Sequence, residues 1–365
     1  MRPIAHTASG CLALAAALLA TMPTHGADLA ALPPLNAPIA ESSVSGLSSG
    51  AFMAVQLGTA WSSVIKGVAV VAGGPDFCAH DKLSGTDACM NHPPAPPLDP
   101  LIAMTDRKAA GGELDPTANL ARQQIYIFHG TQDATVVREV TDATVAFYAH
   151  YLGDAAKDHL LYETTIGAGH AFVVPETADT AGLNDCATSL SPFIVRCGNY
   201  DQAGIILRHI YGALAPPAQP GALAGTVKSF DQARYAAPDQ PVQVSLGDAG
   251  FVFVPKDCET AAGPPCRVHI VLHGCLQNSA VVDRTVVDHA GFNAWADTNR
   301  IIVLYPQTTA LFSALPVIPA PNPLACWDWW GYLAQDDGYF TKSGRQIMAL
   351  KAMLDDLTAG SRQSP

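Results

Sequence analysis

Apolar and polar positions along this chain follow two alternating rhythms. Short unbroken apolar runs bounded by glycine or proline predict buried strands. They are GVAVVAGG (67–74), QIYIFHG (124–130), RVHIVLHG (267–274) and NRIIVLYP (299–306), with HLLYETTI (159–166) as a further strand. Between them apolar residues recur at helical spacing in AFMAVQLGTAW (51–61), REVTDATVAFYAHYL (138–152), YDQAGIILRHIYGAL (200–214) and GRQIMALKAMLDDLT (344–358). SAVVDRTVVDHAGFNAWADT (279–298) is mostly helical, and PVQVSLGDAGFVFVP (241–255) predicts a hairpin that turns at Gly247-Asp248-Ala249-Gly250. APPAQPGALAGT (215–226) reads as a linker, and HPPAPPLDP (92–100) and PVIPAPNP (316–323) as loops. Strands alternating with helices imply an α/β fold with a mostly parallel sheet covered on both faces.

The N-terminus changes the compartment. Arg2, the apolar CLALAAALLATM (11–22) and small residues at Gly26 and Ala27 form a secretory signal peptide, so 1–27 is removed and 28–365 is expected to be a single catalytic domain. The apolar run is too short to span a membrane, and no later segment is long enough. Cys11 starts that run rather than following it, which argues against a lipid anchor. The expected location is the periplasm or the medium, and a signal peptide does not choose between them.

Net charge is −12 with no basic run, which argues against nucleic acid and anionic membrane partners. Charged residues make up 14% of the chain beside 28 Pro and 30 Gly, a composition that suits a loop-rich exported protein. Beyond the signal lie Cys78, Cys89, Cys186, Cys197, Cys258, Cys266, Cys275 and Cys326. An even count in an exported chain suggests disulfides. Three pairs are close in sequence (Cys78 with Cys89, Cys186 with Cys197, Cys258 with Cys266), which leaves Cys275 with Cys326. Spacing alone leaves the connectivity open. No CxxC or histidine-rich spacing supports a metal site, and no cofactor is expected.

The chemistry starts at Gly46-Leu47-Ser48-Ser49-Gly50, a G-x-S-x-G pattern that can place a nucleophilic serine on a strand-to-helix turn. A serine hydroxyl needs a base oriented by a carboxylate. Asp133 follows the strand in IYIFHGTQD, and His170 lies between small residues in GAGHAF. Taken singly, Asp133 could be a helix N-terminal acid and His170 an ordinary loop histidine. Their order, Ser48 then Asp133 then His170, is that of the α/β-hydrolases. An oxyanion hole needs the amide after the nucleophile, here Ser49, and a second amide from a loop following an earlier strand. No strand run precedes Ser48. The candidate is VHIVLHGCLQN, beyond the linker. The strands that normally come before the serine have therefore moved to the C-terminal side, which is a circular permutation joined through 215–226. His150, His209 and His269 sit in apolar helical or strand segments and read as core or surface residues.

GLSSGAF, HGTQDATV, GAGHAF, LHGCLQN and CWDWWGY together resemble the permuted poly(3-hydroxybutyrate) depolymerases, within a wider esterase group that includes feruloyl esterases. The resemblance spans residues 46–332. It implies an α/β-hydrolase fold, a Ser48–Asp133–His170 triad, an oxyanion hole from the Ser49 and Cys275 amides, and a polyester or oligoester of 3-hydroxybutyrate as substrate. Trp327, Trp329, Trp330 and Tyr332, together with His273, are candidate substrate contacts, because aromatic walls beside a serine suit an apolar ester chain. At least one of those rings is expected to be core. No polymer-binding module is visible after the catalytic part, which favours amorphous polymer or soluble oligomers. The rival readings are a feruloyl- or acetyl-type esterase and a non-catalytic polymer-binding protein. Oligomeric state is not legible.

Overall fold

The central strand of the main sheet is the one the apolar pattern passes over. β1 (Ser42–Leu47) reads SSVSGL, yet every residue in it is buried. The hydroxyls of Ser43 and Ser45 find partners inside the protein, while Ser42 Oγ has none among the described residues. Ser43 Oγ lies 2.7 Å from His269 Nδ1, Ser45 Oγ lies 2.9 Å from His269 Nε2, and the Tyr211 hydroxyl is 2.6 Å from Ser43 Oγ. Burial pushes the His269 imidazole down to about 3, so the ring is neutral and bridges the two serines. A polar strand can occupy the middle of a sheet when most of its hydroxyls are satisfied in this way.

The computed structural model describes residues 29–80, 83–91, 97–236, 241–260, 263–313, 321–333 and 338–360. The expected signal peptide, Cys11 included, and parts of the two proline-rich loops lie outside the described residues. The end of the first of those loops opens the helix Leu98–Ala110. After β1 come β2 (Ile65–Val71), β3 (Gln124–Phe128), β4 (Leu160–Glu163), β5 (Phe172–Val174), β6 (Asn184–Asp185), β7 (Ile194–Arg196), β8 (Thr226–Asp231), β9 (Ala249–Val254), β10 (Arg267–Leu272) and β11 (Ile301–Tyr305). Eight of them form one sheet in the order β4-β3-β2-β1-β10-β11-β9-β8, and β5, β7 and β6 form a small second sheet. Neighbours from β4 to β11 pair in parallel, while β9 runs antiparallel to both β11 and β8.

Alternate strand residues feed two cores, as the period of two requires. Val68, Val70, Ile125, Ile127, Ile270 and Leu304 face one side, against the helices Ser49–Ala60, Arg138–Leu152 and Arg345–Thr358. Ala69, Val71, Tyr126, Phe128, Val271 and Val303 face the other, against Gln202–Tyr211 and Phe292–Asn299. Both faces are covered, so the strands read as continuous apolar runs.

β1 pairs with β10 from Ser42↔Val268 to Gly46↔Leu272, which joins the start of the chain to a late strand. Counted from β8 instead of β1, the strand order becomes 1-2-4-3-5-6-7-8 with the second strand antiparallel. That is the α/β-hydrolase order, and the chain is circularly permuted with respect to it. The ends fit this description. The Leu35 amide donates to Leu357 O at 2.8 Å, so the last helix closes beside the segment leading into β1.

The linker is tied down rather than loose. Asn299 holds Ala215 from both sides, Thr298 donates to Pro216 O, and the Asp297 carboxylate accepts the amides of Ala224 and Gly225. The hairpin expected over 241–255 does not form. A short helix, Pro241–Val244, opens that segment, and β9 pairs with β8 at the linker's end instead. The partner that the local turn signal assigns to 241–246 is supplied by β8 along its whole length. The disulfides are Cys78–Cys89, Cys186–Cys197, Cys258–Cys266 and Cys275–Cys326. No helix among the described residues is long and apolar enough to cross a membrane.

One buried acid makes a testable contribution to stability. Asp76 is fully buried after β2, and among the described residues its Oδ2 accepts the Thr105 hydroxyl (3.0 Å) and no other side chain, while its Oδ1 has no hydrogen-bond partner. Burial raises it from 3.8 to about 8. The folded state therefore holds a proton that the unfolded chain gives up near its ordinary value. The stabilising contribution is complete below about pH 4, declines as pH rises, and is gone above about 8. Asp76→Asn should flatten the fall in Tm between pH 5 and pH 8.5. Parallel melting curves for the variant and the wild type would count against this account.

Candidate active site

Four loops leave the carboxyl ends of parallel strands and meet there. Ser48 follows β1 and caps the helix Ser49–Ala60 with φ 57° and ψ −123°, a backbone region that non-glycine residues enter at a cost of about 1–3 kcal/mol. The Ser48 amide donates to Val71 O at the end of β2, which fixes the elbow against its neighbour strand. The flanking glycines are sterically required. A Cβ on Gly46 would overlap Gly50 O, and one on Gly50 would overlap the carbonyl oxygens of Leu272 and His273. Gly50→Ala should therefore lower stability by about 1–3 kcal/mol, as overpacking does. Equal urea midpoints for variant and wild type would show that this approach is looser than it looks.

Asp133 and His170 come together as the order of the motifs predicts. His170 Nδ1 lies 2.8 Å from Asp133 Oδ2, with both side chains almost completely buried. Asp133 Oδ1 is held by the amides of Thr135 (2.8 Å) and Val136 (3.2 Å), so the carboxylate cannot rotate away. The two loops also join through backbone. Gln132 N–H donates to Ala168 O, and Thr131 N–H to Ile166 O. The Ser189 hydroxyl accepts the His170 amide at 2.8 Å. His129, the other histidine of a His-Gly pair, spends its Nε2 on Val136 O (3.0 Å) and so braces the acid loop.

The late turn meets the early elbow. An ideal Cβ placed on Gly274 would stand 3.4 Å from Ser48 Cβ and 3.4 Å from Leu47 O. Among the described residues no acceptor takes the amide of Ser49 or of Cys275. Ser49 is the first residue of its helix, where amides have no intrahelical partner. Gln277 ties this turn to the loop beyond His170. Its Oε1 accepts the Gly274 amide (2.7 Å), and its Nε2 donates to Pro192 O (2.9 Å) and Phe193 O (3.1 Å).

The aromatic candidates divide. Trp329 stacks on Phe52, one turn into the serine helix, with centroids 4.1 Å apart, and Trp330 meets Trp329 edge-on at 5.4 Å. The Cys275–Cys326 disulfide binds this loop to the oxyanion turn. Tyr332 is half-buried, and its hydroxyl bonds Cys326 O and Asn322 at 2.9 Å each. Two expected substrate contacts move into the core. Trp327 is 0% exposed, and His273 is 1% exposed beside it, with ring centroids 5.6 Å apart. Each lies within two residues of an end of the Cys275–Cys326 disulfide.

Sequence reasoning missed several residues that shape this site. Asp328 sits inside the CWDWWGY motif and is buried. It accepts the amides of Tyr332 (2.9 Å) and Leu333 (3.3 Å), and burial raises it to about 7. An acid flanked by tryptophans four residues before the end of the loop was the available signal. Gln277 lies within the quoted LHGCLQN and had the same chance of being noticed. Ser189 carried no local signal.

Comparisons with known proteins agree on one group. No family model matches the chain. It is 38% identical over 332 residues to a poly(3-hydroxybutyrate) depolymerase of Delftia acidovorans, covering 90% of this chain and 62% of that one. It is 35% identical over 335 residues to a polyhydroxybutyrate depolymerase of Talaromyces funiculosus, covering 90% and 93%. The crystal structure of the PHB depolymerase from Penicillium funiculosum superposes with a TM-score of 0.81 at 34% identity, covering 91% of this chain and 100% of that one. A serine-to-alanine PHB depolymerase complexed with an R3HB trimer superposes equally well. The chain thus spans slightly less than two thirds of the Delftia relative and nearly all of the fungal ones.

Proposed function

The chain belongs to the poly(3-hydroxybutyrate) depolymerase family, and on that footing we propose that it hydrolyses poly(3-hydroxybutyrate) or 3-hydroxybutyrate oligomers through Ser48, His170 and Asp133. The observation that carries the reading is the His170 Nδ1–Asp133 Oδ2 contact at 2.8 Å, at the same sheet end as a strained Ser48 elbow. With Nδ1–H donated to Asp133, His170 Nε2 carries the free lone pair and takes the proton from Ser48 Oγ as that oxygen attacks the ester carbonyl. The Ser49 and Cys275 amides receive the developing oxyanion. Collapse breaks the ester C–O bond, and His170 hands the proton to the departing hydroxyl of the shortened chain. Water activated by His170 then attacks the acyl-enzyme and releases a 3-hydroxybutyrate acid, restoring Ser48.

Trp329 and Trp330 supply the apolar wall for the substrate's methyl-bearing backbone, anchored by Phe52 beneath. Four disulfides support an exported protein, in the periplasm or outside the cell. The expected result is clearing of amorphous poly(3-hydroxybutyrate) with release of 3-hydroxybutyrate acids, and kcat/KM on the 3-hydroxybutyrate trimer above that on feruloyl or acetyl esters. A reversed preference with no clearing would replace this reading with a general carboxylic esterase.

A further inference from the structure

We propose that His273 is a positioning residue for the oxyanion hole, holding the Cys275 amide toward Ser48 through the peptide that the two neighbouring residues share. His273 Nε2 lies 3.1 Å from the Thr308 amide, which can only donate. That nitrogen must therefore accept, and the ring proton resides on Nδ1. Nδ1–H is then directed at Gly274 O, 2.7 Å away. The Gly274 carbonyl and the Cys275 N–H belong to one planar trans peptide and point in opposite directions. Fixing the carbonyl on the His273 side fixes the amide on the other, and Gly274 itself packs against Ser48. A hydrogen bond received at the carbonyl also polarises that peptide, which strengthens its N–H as a donor to a developing anion.

The supports of this contact are as specific as the contact. Thr308 is 1% exposed, with its own carbonyl accepting Asn278 Nδ2 at 2.8 Å and its hydroxyl donating to Ala325 O beside the Cys275–Cys326 disulfide. The Gly274 amide, on the preceding peptide, is held by Gln277. Burial pushes the His273 imidazole down to about 4, so the neutral Nδ1–H form is the one present near neutral pH. His273 therefore has no contact with substrate in this account and takes no proton in the reaction.

The inference rests on the proposed serine mechanism, and the experiment separates the two. Purified His273→Ala, His273→Asn, His273→Gln and Ser48→Ala proteins are assayed with the 3-hydroxybutyrate trimer and titrated with a boronic acid that forms a tetrahedral adduct on serine. Removing an oxyanion donor outright costs on the order of 10²–10³ in kcat, and letting one drift should cost roughly 10–10². His273→Ala should lose that factor in kcat with KM changed less than about threefold, and boronate affinity should fall by the same factor as kcat. Asn can place an N–H near the Nδ1 position, whereas the Gln amide reaches toward Nε2. His273→Asn should therefore recover most of the lost kcat and His273→Gln should not. If the Ala protein does not fold, the Asn and Gln pair carries the same comparison in a filled site. Unchanged kcat in folded His273→Ala or His273→Gln, or equal loss in the Asn and Gln proteins, would overturn the role of His273. Full activity of Ser48→Ala would instead overturn the serine mechanism, leaving that outcome distinct.

Discussion

Ser48→Ala should abolish clearing of amorphous poly(3-hydroxybutyrate), with kcat reduced by about 10⁴–10⁶. The size follows from the chemistry. Without Oγ there is no covalent intermediate, and what is left is water attacking an ester bound near the oxyanion donors. The substitution is also clean. Ser48 is 8% exposed, the hydrogen bond to Val71 O is donated by its backbone N–H, and alanine occupies the same strained elbow. The melting temperature should therefore stay close to that of the wild type. Acid release measured by titration on a polymer suspension checks this. A Ser48→Ala protein that clears polymer at the wild-type rate would mean that another group performs the attack.

Asp133→Asn should cost about 10⁴ in kcat while leaving the fold intact. Asp133 Oδ1 is committed to the amides of Thr135 and Val136, so the oxygen of an asparagine would take that place. Its NH2 group would then face His170 at the position now held by Oδ2, 2.8 Å from Nδ1. Two donors cannot face each other, so the imidazole must move its proton to Nε2. In that tautomer the nitrogen required as base has no lone pair for the Ser48 proton. Glutamate at the same position would fail differently, by displacing the ring. Single-turnover rates with the 3-hydroxybutyrate trimer test the Asn variant. A loss below about tenfold would show that Asp133 does not set the histidine tautomer.

The strands on either side of β1 and the long helices were legible because their burial is apolar, whereas the edge strand β8 carried no such run. The helix over Arg138–Leu152 has the bounds its periodicity predicts, and β10 and β11 lie within their apolar runs. β1 was not, because its inward positions at Ser43 and Ser45 are satisfied by a histidine more than two hundred residues away, and no local pattern records such a partner. The 241–255 hairpin failed for a related reason. Its turn residues are favourable, but the strand they precede had a better antiparallel partner in Thr226–Asp231. At the site, residue types in the right order pointed to Ser48, Asp133 and His170, and the structure brings the acid and the base into contact. Side-chain direction was beyond reach. That is why His273 and Trp327 were read as substrate contacts although both side chains are buried. The linker, loose by composition, is fastened by Asp297, Thr298 and Asn299, whose roles depend on the helix Phe292–Asn299 lying beside it.

The most direct test of the idea that the early serine elbow and the late oxyanion turn form one working pocket is covalent. The intact protein is treated with a fluorophosphonate, with and without excess 3-hydroxybutyrate trimer, and digested for peptide mapping by mass spectrometry. A single phosphonyl group on the peptide carrying Ser48, diminished by the trimer, is the predicted result. A label on any other serine, or none at all under conditions where the polymer is cleared, would contradict it.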